Sequence, residues 1–478
     1  MSLREKVRAL FENKRVAVIG IGISNIPLIR FLLDAGAEVT ARDIKPIEEL
    51  SPEVKTLCEE RGLSVICSAG YLEGIEDEVI FRSPGLRPDT PQLLAAVERG
   101  AVLTSEMELF FALTPARIVA ITGSDGKTTT TTLTYLMTDA LQKKSGKGKA
   151  YVGGNIGTPL LPFVYDMTEN DIAVVELSSF QLQGMRRSPS VAVITNVTPN
   201  HLNWHTGMDE YADAKKNIYH TEECTRLVTN LDNDVTRDVL QTLERDGIKK
   251  IAFSRKEQSC DFSDGMIYLD EGNIIIREGA CETLLVDTAK IKLPGTHNIE
   301  NYMAAAGAVW GLGFDEADFV DVIRSTAQSF GGVEHRLEFV RELGGVDFYN
   351  SSIDSSPTRT AAALRAFSDK SVVICGGYDK HIPLEPLAEV LCECAEYVIL
   401  CGATANAIAE ALENCPDFDR ELLGYTIEPD FERAIKLAAE HAREGGRVVL
   451  SPACASFDMF RNFEERGRRF KEIVNSLK

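Results

Sequence analysis

The sequence predicts an α/β protein of three domains, each built on a mainly parallel sheet, with the first and last Rossmann-like. Three observations predict it. Short, β-rich apolar runs alternate with helical periodicity along the chain, which is the pattern of parallel sheets covered by helices. Two of the runs lead directly into glycine turns, at Gly20 and Gly22 and again at Gly123 and Gly126. A chain of 478 residues is also too long for one core, since domains usually run to about 100–200 residues. The expected boundaries are 1–114, 115–332 and 333–478.

The first domain opens with a strand, Val16 to Ile19, followed by a glycine turn, a helical segment and a second strand ending at Asp43. A dinucleotide fingerprint would place a third glycine at position 25, where Asn25 stands. That weakens NAD binding and leaves Asp43, at a strand end, open to a ribose or base contact. The turn Arg82 to Pro91 then precedes a helical stretch reaching about residue 112.

The second domain begins with a buried strand, Ile118 to Ile121, and the loop "TGSDGKTTT". It is shorter than the common phosphate loop, which would need glycine where Ile121 stands. A helix over Thr128 to Met137 puts Gly123, Ser124, Asp125, Gly126, Lys127, Thr128 and Thr129 at a helix N-terminus, where free N–H groups and the dipole favour an anion. The domain is therefore expected to be a P-loop ATPase-like parallel sheet. "KKSGKGK" (Lys143 to Lys149) reads as a solvated basic connector, and the strands around "DEGN" (Asp270 to Asn273) as a β-hairpin insertion. Two further buried strands end at Glu176 and near Asn196, with His201 just beyond. Ligands bind past the carboxyl ends of parallel strands, so the loop, Glu176 and His201 are expected on one edge. Thr128 and Glu176 suit Mg2+, which prefers oxygen ligands shared with substrate phosphates, and Lys127 suits the β- and γ-phosphates of ATP or GTP.

Composition narrows the function. The net charge of −21 disfavours an extended nucleic-acid surface. Eleven cysteines without a C-x-x-C pair read as reduced thiols, and the chain shows neither a signal peptide nor a membrane-length apolar run. A cytoplasmic protein is expected. The sequence does not fix the oligomeric state, and a monomer is compatible with it.

The motifs "TGSDGKTTT", "GGNIGTP", "ELSSFQL", "NVTPNHLNWH", "YADAK", "GTHNIEN", "EHRLE", "GGYDK" and "SPACASFDMFRNFEERG" follow one another over most of the chain. In this order they resemble the Mur ligases of peptidoglycan synthesis, and most closely the D-glutamate-adding branch. The resemblance implies a three-domain, ATP- and Mg2+-dependent amide ligase that phosphorylates the carboxylate of UDP-N-acetylmuramoyl-L-alanine and couples it to D-glutamate. It implies that Lys127 and Thr128 contact phosphate and magnesium, that Glu176 is a further ligand of that metal, and that His201 holds a second one. Lys215 matches the lysine that the family carbamylates into a metal ligand, although from its charge and its neighbour Lys216 alone it reads as solvent-facing. Asn298, Asn301 and Arg336 resemble nucleotide contacts, Asn155 and Ser178 contacts to the muramoyl part, Asp43 the uracil contact, and Lys380, Ser456 and Phe463 the D-glutamate contacts.

The chain departs from the family pattern in two places. Asn200 and Asn203 stand where acidic residues are usual, and "YNSSIDSSPTRT" replaces an Asn-Asp-Ser-Lys run. There Ser351 takes the place of the acid and Ile353 that of the lysine, while Asp354 comes three residues late. Either Asp354 takes over the nucleotide contact of the missing acid or the contact is made differently. Other readings compatible with the nucleotide loop are another amide ligase of the Mur or folylpolyglutamate type, a non-catalytic nucleotide-sensing module, and a small-molecule kinase. The roughly 110 residues ahead of the loop, with their own Rossmann-like start, argue against the folylpolyglutamate type.

Overall fold

The structure, a computed structural model, describes residues 1–22, 25–202, 204–293, 295–379 and 382–478. It divides into two compact units, Met1–Lys290 with Ile299–Thr326, and Ile291–Asn298 with Ala327–Lys478. Three sheets are distributed between them.

The first unit opens with a five-stranded parallel sheet: β1 (Arg15–Ile19), β2 (Glu38–Asp43), β3 (Ser64–Cys67), β4 (Val79–Arg82) and β5 (Val102–Thr104), in the order β3-β2-β1-β4-β5. The order reverses between β1 and β4, which opens the ligand crevice of a doubly wound sheet at the end of β1. Gly20 lies there at φ +85°, and a Cβ on it would stand 2.6 Å from the Ser83 hydroxyl oxygen. Only glycine serves both constraints. Asn25 begins the next helix, and its amide donates to the Gly20 carbonyl at 2.7 Å, so a polar tie stands where a dinucleotide site has its third glycine.

The second sheet has nine strands: β6 (Arg117–Thr122), β7 (Ala150–Gly154), β8 (Ile172–Glu176), β9 (Val191–Ile194), β10 (Arg226–Asn230), β11 (Lys249–Ser254), β12 (Gly265–Asp270), β13 (Asn273–Glu278) and β14 (Cys281–Asp287). Their order is β14-β13-β12-β11-β10-β9-β6-β8-β7, parallel from β7 to β12 and antiparallel beyond. The apolar runs of β8, β9 and β10 are buried throughout, as a sheet covered on both faces requires. The hairpin expected around Asp270–Asn273 is present. Glu271 and Gly272 both have positive φ, the combination that lets a two-residue turn match strand twist, and its strands extend the edge of the central sheet. One cluster of buried apolar side chains runs from Val7 to Ile248, so the two sheets of this unit share a core.

The helix after the loop spans Lys127–Ser145, longer than the sequence suggests, and stops at Gly146 with φ +66°. This corrects the reading of Lys143–Lys149 as a connector. Lys143 and Lys144 occupy the last helical turn, where they complement the dipole and pair with Asp139 at 2.6 Å and Asp318 at 2.7 Å.

The second unit holds a six-stranded sheet: β15 (Glu338–Leu343), β16 (Val346–Asn350), β17 (Ser371–Cys375), β18 (Ala395–Leu400), β19 (Gly424–Ile427) and β20 (Arg447–Leu450). The order is β15-β16-β20-β17-β18-β19, with only the β15/β16 pair antiparallel. Among the described residues no helix is long and apolar enough to cross a membrane.

Candidate active site

The nucleotide loop is held by a second tier of polar residues from β9 and its following loop. Gly123, at φ +150°, has no room for a side chain, because a Cβ would lie 1.9 Å from the Thr195 hydroxyl oxygen. A Cβ on Gly126 would lie 2.3 Å from Oδ1 of Asn301. The Thr195 hydroxyl donates to the Asp125 carbonyl at 2.6 Å, the Asp125 N–H donates to Asn196 Oδ1 at 3.0 Å, and Ser124 Oγ lies 2.9 Å from the Tyr211 hydroxyl. The Lys127 ammonium donates to the carbonyls of Gly123 and Ser124 at 2.9 and 2.8 Å. Thr128 and Thr129 occupy the first helical turn and are half-buried. The loop is thus pinned from below while its helix N-terminus faces outward, the geometry that accepts an anion.

Lys215 is not solvent-facing. It lies on the helix Met208–Lys216, is 1 % exposed, and donates to the Gly123 carbonyl at 2.7 Å. Burial, with Lys127 close by, holds its ammonium well below the ordinary lysine value and favours the neutral amine. Tyr211, one turn earlier, places its ring 4.5 Å from the Lys215 nitrogen and its hydroxyl on Ser124. Glu176, at the end of β8, is likewise buried. Its Oε1 accepts from the Asn155 amide at 2.8 Å, whereas its buried Oε2 has no hydrogen-bond partner among the described residues.

His201 sits beyond β9 at φ +55°, with its ring 4.9 Å from that of Phe180 and 6.4 Å from that of Tyr211. The Asn200 amide oxygen accepts from the His201 N–H at 2.8 Å, and Asn203 lies outside the described residues. Loop, Glu176, His201 and Lys215 therefore gather at one edge of the central sheet, as the strand-end rule predicts. Among the described residues no three His, Cys, Asp or Glu side chains converge as a metal site. The expected ligand pairs, Thr128 with Glu176 and His201 with Lys215, contain only one such residue each.

The structure adds residues that motif reading did not single out. His205 is buried, with Nε2 3.0 Å from the Ser179 hydroxyl and its ring stacked at 7° on Phe180. Burial lowers its pKa. Glu210 accepts from Arg87 at 2.7 Å and from the Thr206 N–H, contacts that hold its carboxyl well below the usual range. The Arg87 pair ties the turn after β4 to the helix that carries Lys215. The spacings were visible: His201 and His205, and Tyr211 and Lys215, are each four apart, one helical turn when the segment is helical.

Other expected contacts fall in different surroundings. Asp43 accepts from the Ile21 N–H at 2.6 Å and from the Lys45 N–H at 2.9 Å, so it shapes the turn after β1. Ser178 caps the helix Ser179–Leu182 in a reciprocal pair with Gln181. Asn301, on the helix Thr296–Val309, accepts from the Thr130 hydroxyl at 3.2 Å, and Asn298 lies one turn before it.

In the second unit Arg336 is exposed, Ser456 is buried, and Phe463 starts the helix Phe463–Ser476 with its ring 6.0 Å from His335. Lys380 lies outside the described residues. Ser351 and Asp354 are both buried. The Ser351 hydroxyl accepts from the Leu337 N–H at 3.1 Å, and Asp354 accepts from the Ser451 hydroxyl at 2.8 Å. Burial pushes the Asp354 carboxyl up to about 6.

Residues 121–309 match the model of the Mur ligase middle domain, and residues 335–454 that of the Mur ligase, glutamate ligase domain. A UDP-N-acetylmuramoylalanine–D-glutamate ligase of Ruminiclostridium cellulolyticum is 46% identical to this chain, over 99% of each. The chain belongs to the Mur ligase family. A second relative of the same name, from Acetivibrio thermocellus, is 47% identical over 98% of this chain and 97% of its own. A Mur ligase of known structure, a UDP-N-acetylmuramate-alanine ligase from Thermotoga maritima, covers 98% of this chain and 100% of its own with a TM-score of 0.55. At 18% identity that likeness is one of fold.

Proposed function

We propose that this Mur ligase joins D-glutamate to UDP-N-acetylmuramoyl-L-alanine with hydrolysis of ATP to ADP and phosphate. The observation that carries the reading is the buried Lys215 amine and the half-satisfied Glu176 carboxylate beside a glycine loop at a helix N-terminus. They sit in a chain matched over almost its full length by ligases of that name. A carboxylate is a poor electrophile, so the muramoyl-alanine carboxylate first takes the γ-phosphoryl group from ATP. The D-glutamate amine then attacks the acyl carbon, the C–N bond forms, phosphate leaves with the C–O electron pair, and the amine loses a proton.

The residues divide this work. The loop N–H groups and Lys127 hold the phosphates and offset charge on the transferring group. Mg2+ fits the donor set: Glu176 Oε2 is a buried oxygen without a hydrogen-bond partner among the described residues, and the Thr128 hydroxyl lies in the first turn after the loop. A bound magnesium ion would supply Lewis-acid stabilisation of the phosphoryl oxygens. A neutral, buried Lys215 amine can add to CO2, losing a proton and becoming an oxygen donor that His201 complements. Asn155 and Ser178 would serve the muramoyl part, Asp43 the uracil, and Asn298, Asn301 and Arg336 the ATP. Lys380, Ser456 and Phe463 would serve D-glutamate. A reaction that consumes ATP and a UDP-linked sugar belongs in the cytoplasm.

The experiment is phosphate release by the purified protein with ATP, magnesium and UDP-N-acetylmuramoyl-L-alanine, with D-glutamate, L-glutamate and L-lysine in parallel. Release that depends on D-glutamate is expected. Release with another amine, or none with any, overturns the assigned amino acid.

A further inference from the structure

A cleft of about 620 Å³ opens at the end of the central sheet opposite the nucleotide loop. Arg117, Arg226 and Lys249, which line it, are the first residues of β6, β10 and β11, and Trp310 and Gly311 close it from beyond the helix Thr296–Val309. The loop follows the far end of β6, a strand length away, which is roughly 20 Å at the usual rise. The cleft is therefore separate from the site described above.

Its charge is unusual for this chain. The overall balance is −21, yet three cations line this cleft beside two carboxylates. Glu278 accepts from Arg226 at 3.2 Å, from Lys249 at 2.7 Å and from the Trp310 indole N–H at 2.6 Å. A second carboxylate in the lining, Glu316, accepts from the Thr283 hydroxyl at 2.6 Å. Arg117 donates to the Leu312 carbonyl at 3.3 Å and, among the described residues, finds no carboxylate within ion-pair distance. The Arg226 side chain is 8% exposed, and its Nη1 has no hydrogen-bond partner among the described residues. A buried guanidinium N–H without an acceptor is costly, and an arriving oxyanion would remove that cost. Gly311 packs against this guanidinium: at φ +82°, a Cβ there would lie 2.4 Å from Arg226 Nη2. Trp310 is only partly buried, and its ring packs edge-on against Phe319 at 5.1 Å.

We propose that this cleft is a second ligand site, which takes a small oxyanion carrying a flat apolar group. The oxyanion sits against the Arg226 and Arg117 guanidiniums, which suit two-oxygen acceptors, and the flat group lies against Trp310. Carboxylates and phosphates share this chemistry.

The test is calorimetric titration of the full-length protein with phenylacetate and with phenyl phosphate, with and without saturating ATP, and with benzyl alcohol as the neutral control. At least one anion binds at millimolar concentration or below, its affinity unchanged by ATP, and benzyl alcohol does not bind. Whichever anion binds more tightly identifies the ligand as carboxylate or phosphate. Arg226→Lys, which keeps the charge but loses the fork, weakens binding about ten-fold or more. Arg117→Gln, which leaves the Arg226–Glu278 pair intact, weakens it several-fold with an unchanged melting temperature. Binding by neither anion, displacement by ATP, equal binding of benzyl alcohol, or full affinity in both variants overturns the proposal.

Discussion

The carboxyl ends of the central and C-terminal sheets both bury charged side chains, but they treat them differently. At the central sheet, Lys215 meets a carbonyl and a neighbouring cation, and one oxygen of Glu176 has no hydrogen-bond partner among the described residues. At the C-terminal sheet, Arg466 is equally buried, yet it donates to the Ser352 hydroxyl at 3.0 Å and to the carbonyls of Ser352, Ala455 and Cys454 at 2.8 to 3.1 Å. Asp354 has the Ser451 hydroxyl. A buried charge saturated by the protein's own groups holds the fold together. One left short of partners is poised for something the protein binds.

The sharpest way to break this comparison is to replace each buried basic side chain in turn. Lys215→Met is expected to reduce D-glutamate-dependent phosphate release by about 1,000-fold or more, an effect on the scale of losing a group that stabilises transition-state charge. Its melting temperature should match or exceed that of the parent, because the cost of burying a basic group beside Lys127 is removed. Arg466→Met should do the reverse. It takes a donor away from three carbonyls and from the Ser352 hydroxyl, and is expected to cost about 3–5 kcal/mol in denaturant unfolding of the C-terminal unit. If Arg466→Met is as stable as the parent, the saturated network is not structural and the contrast fails.

Asp354 sharpens the comparison through pH. Burial raises its carboxyl from 3.8 to about 6, so the folded chain keeps a proton that the unfolded chain has already released. The associated stability is full below the unfolded value and is lost as pH rises through about 6, a change of about 2–3 kcal/mol. Asp354→Asn should flatten the stability profile between pH 4 and 6, as followed by melting temperature. The smallest effect is expected at Ser178. Ser178→Ala removes the cap of a short helix for about 1 kcal/mol, and a KM for the muramoyl acceptor that rises beyond what that loss explains would separate substrate contact from capping.

The nucleotide loop was legible because its glycines are forced. Gly123 and Gly126 each lie where a Cβ would strike a neighbour at positive φ, and such constraints leave a fixed local pattern. The departure at "YNSSIDSSPTRT" was also legible as a departure. Its consequence was not, because nothing local reveals that Asp354 turns inward to Ser451, almost a hundred residues away. The basic run at Lys143 was misread for a related reason: its counter-charge at Asp318 is remote in sequence.

By itself the sequence determined the alternation of strands and helices, the three mainly parallel sheets, the hairpin turn and the glycine loop at a helix N-terminus. All of these rest on periodicity and backbone sterics within a few residues. The tertiary structure alone decided which charges are buried. Lys215 reads as a surface residue until its helix is laid beneath the loop, where Arg87, from the turn after β4, holds that helix through Glu210. Solvation and the proximity of other charges set a group's chemistry, and both are properties of the folded environment rather than of the residue.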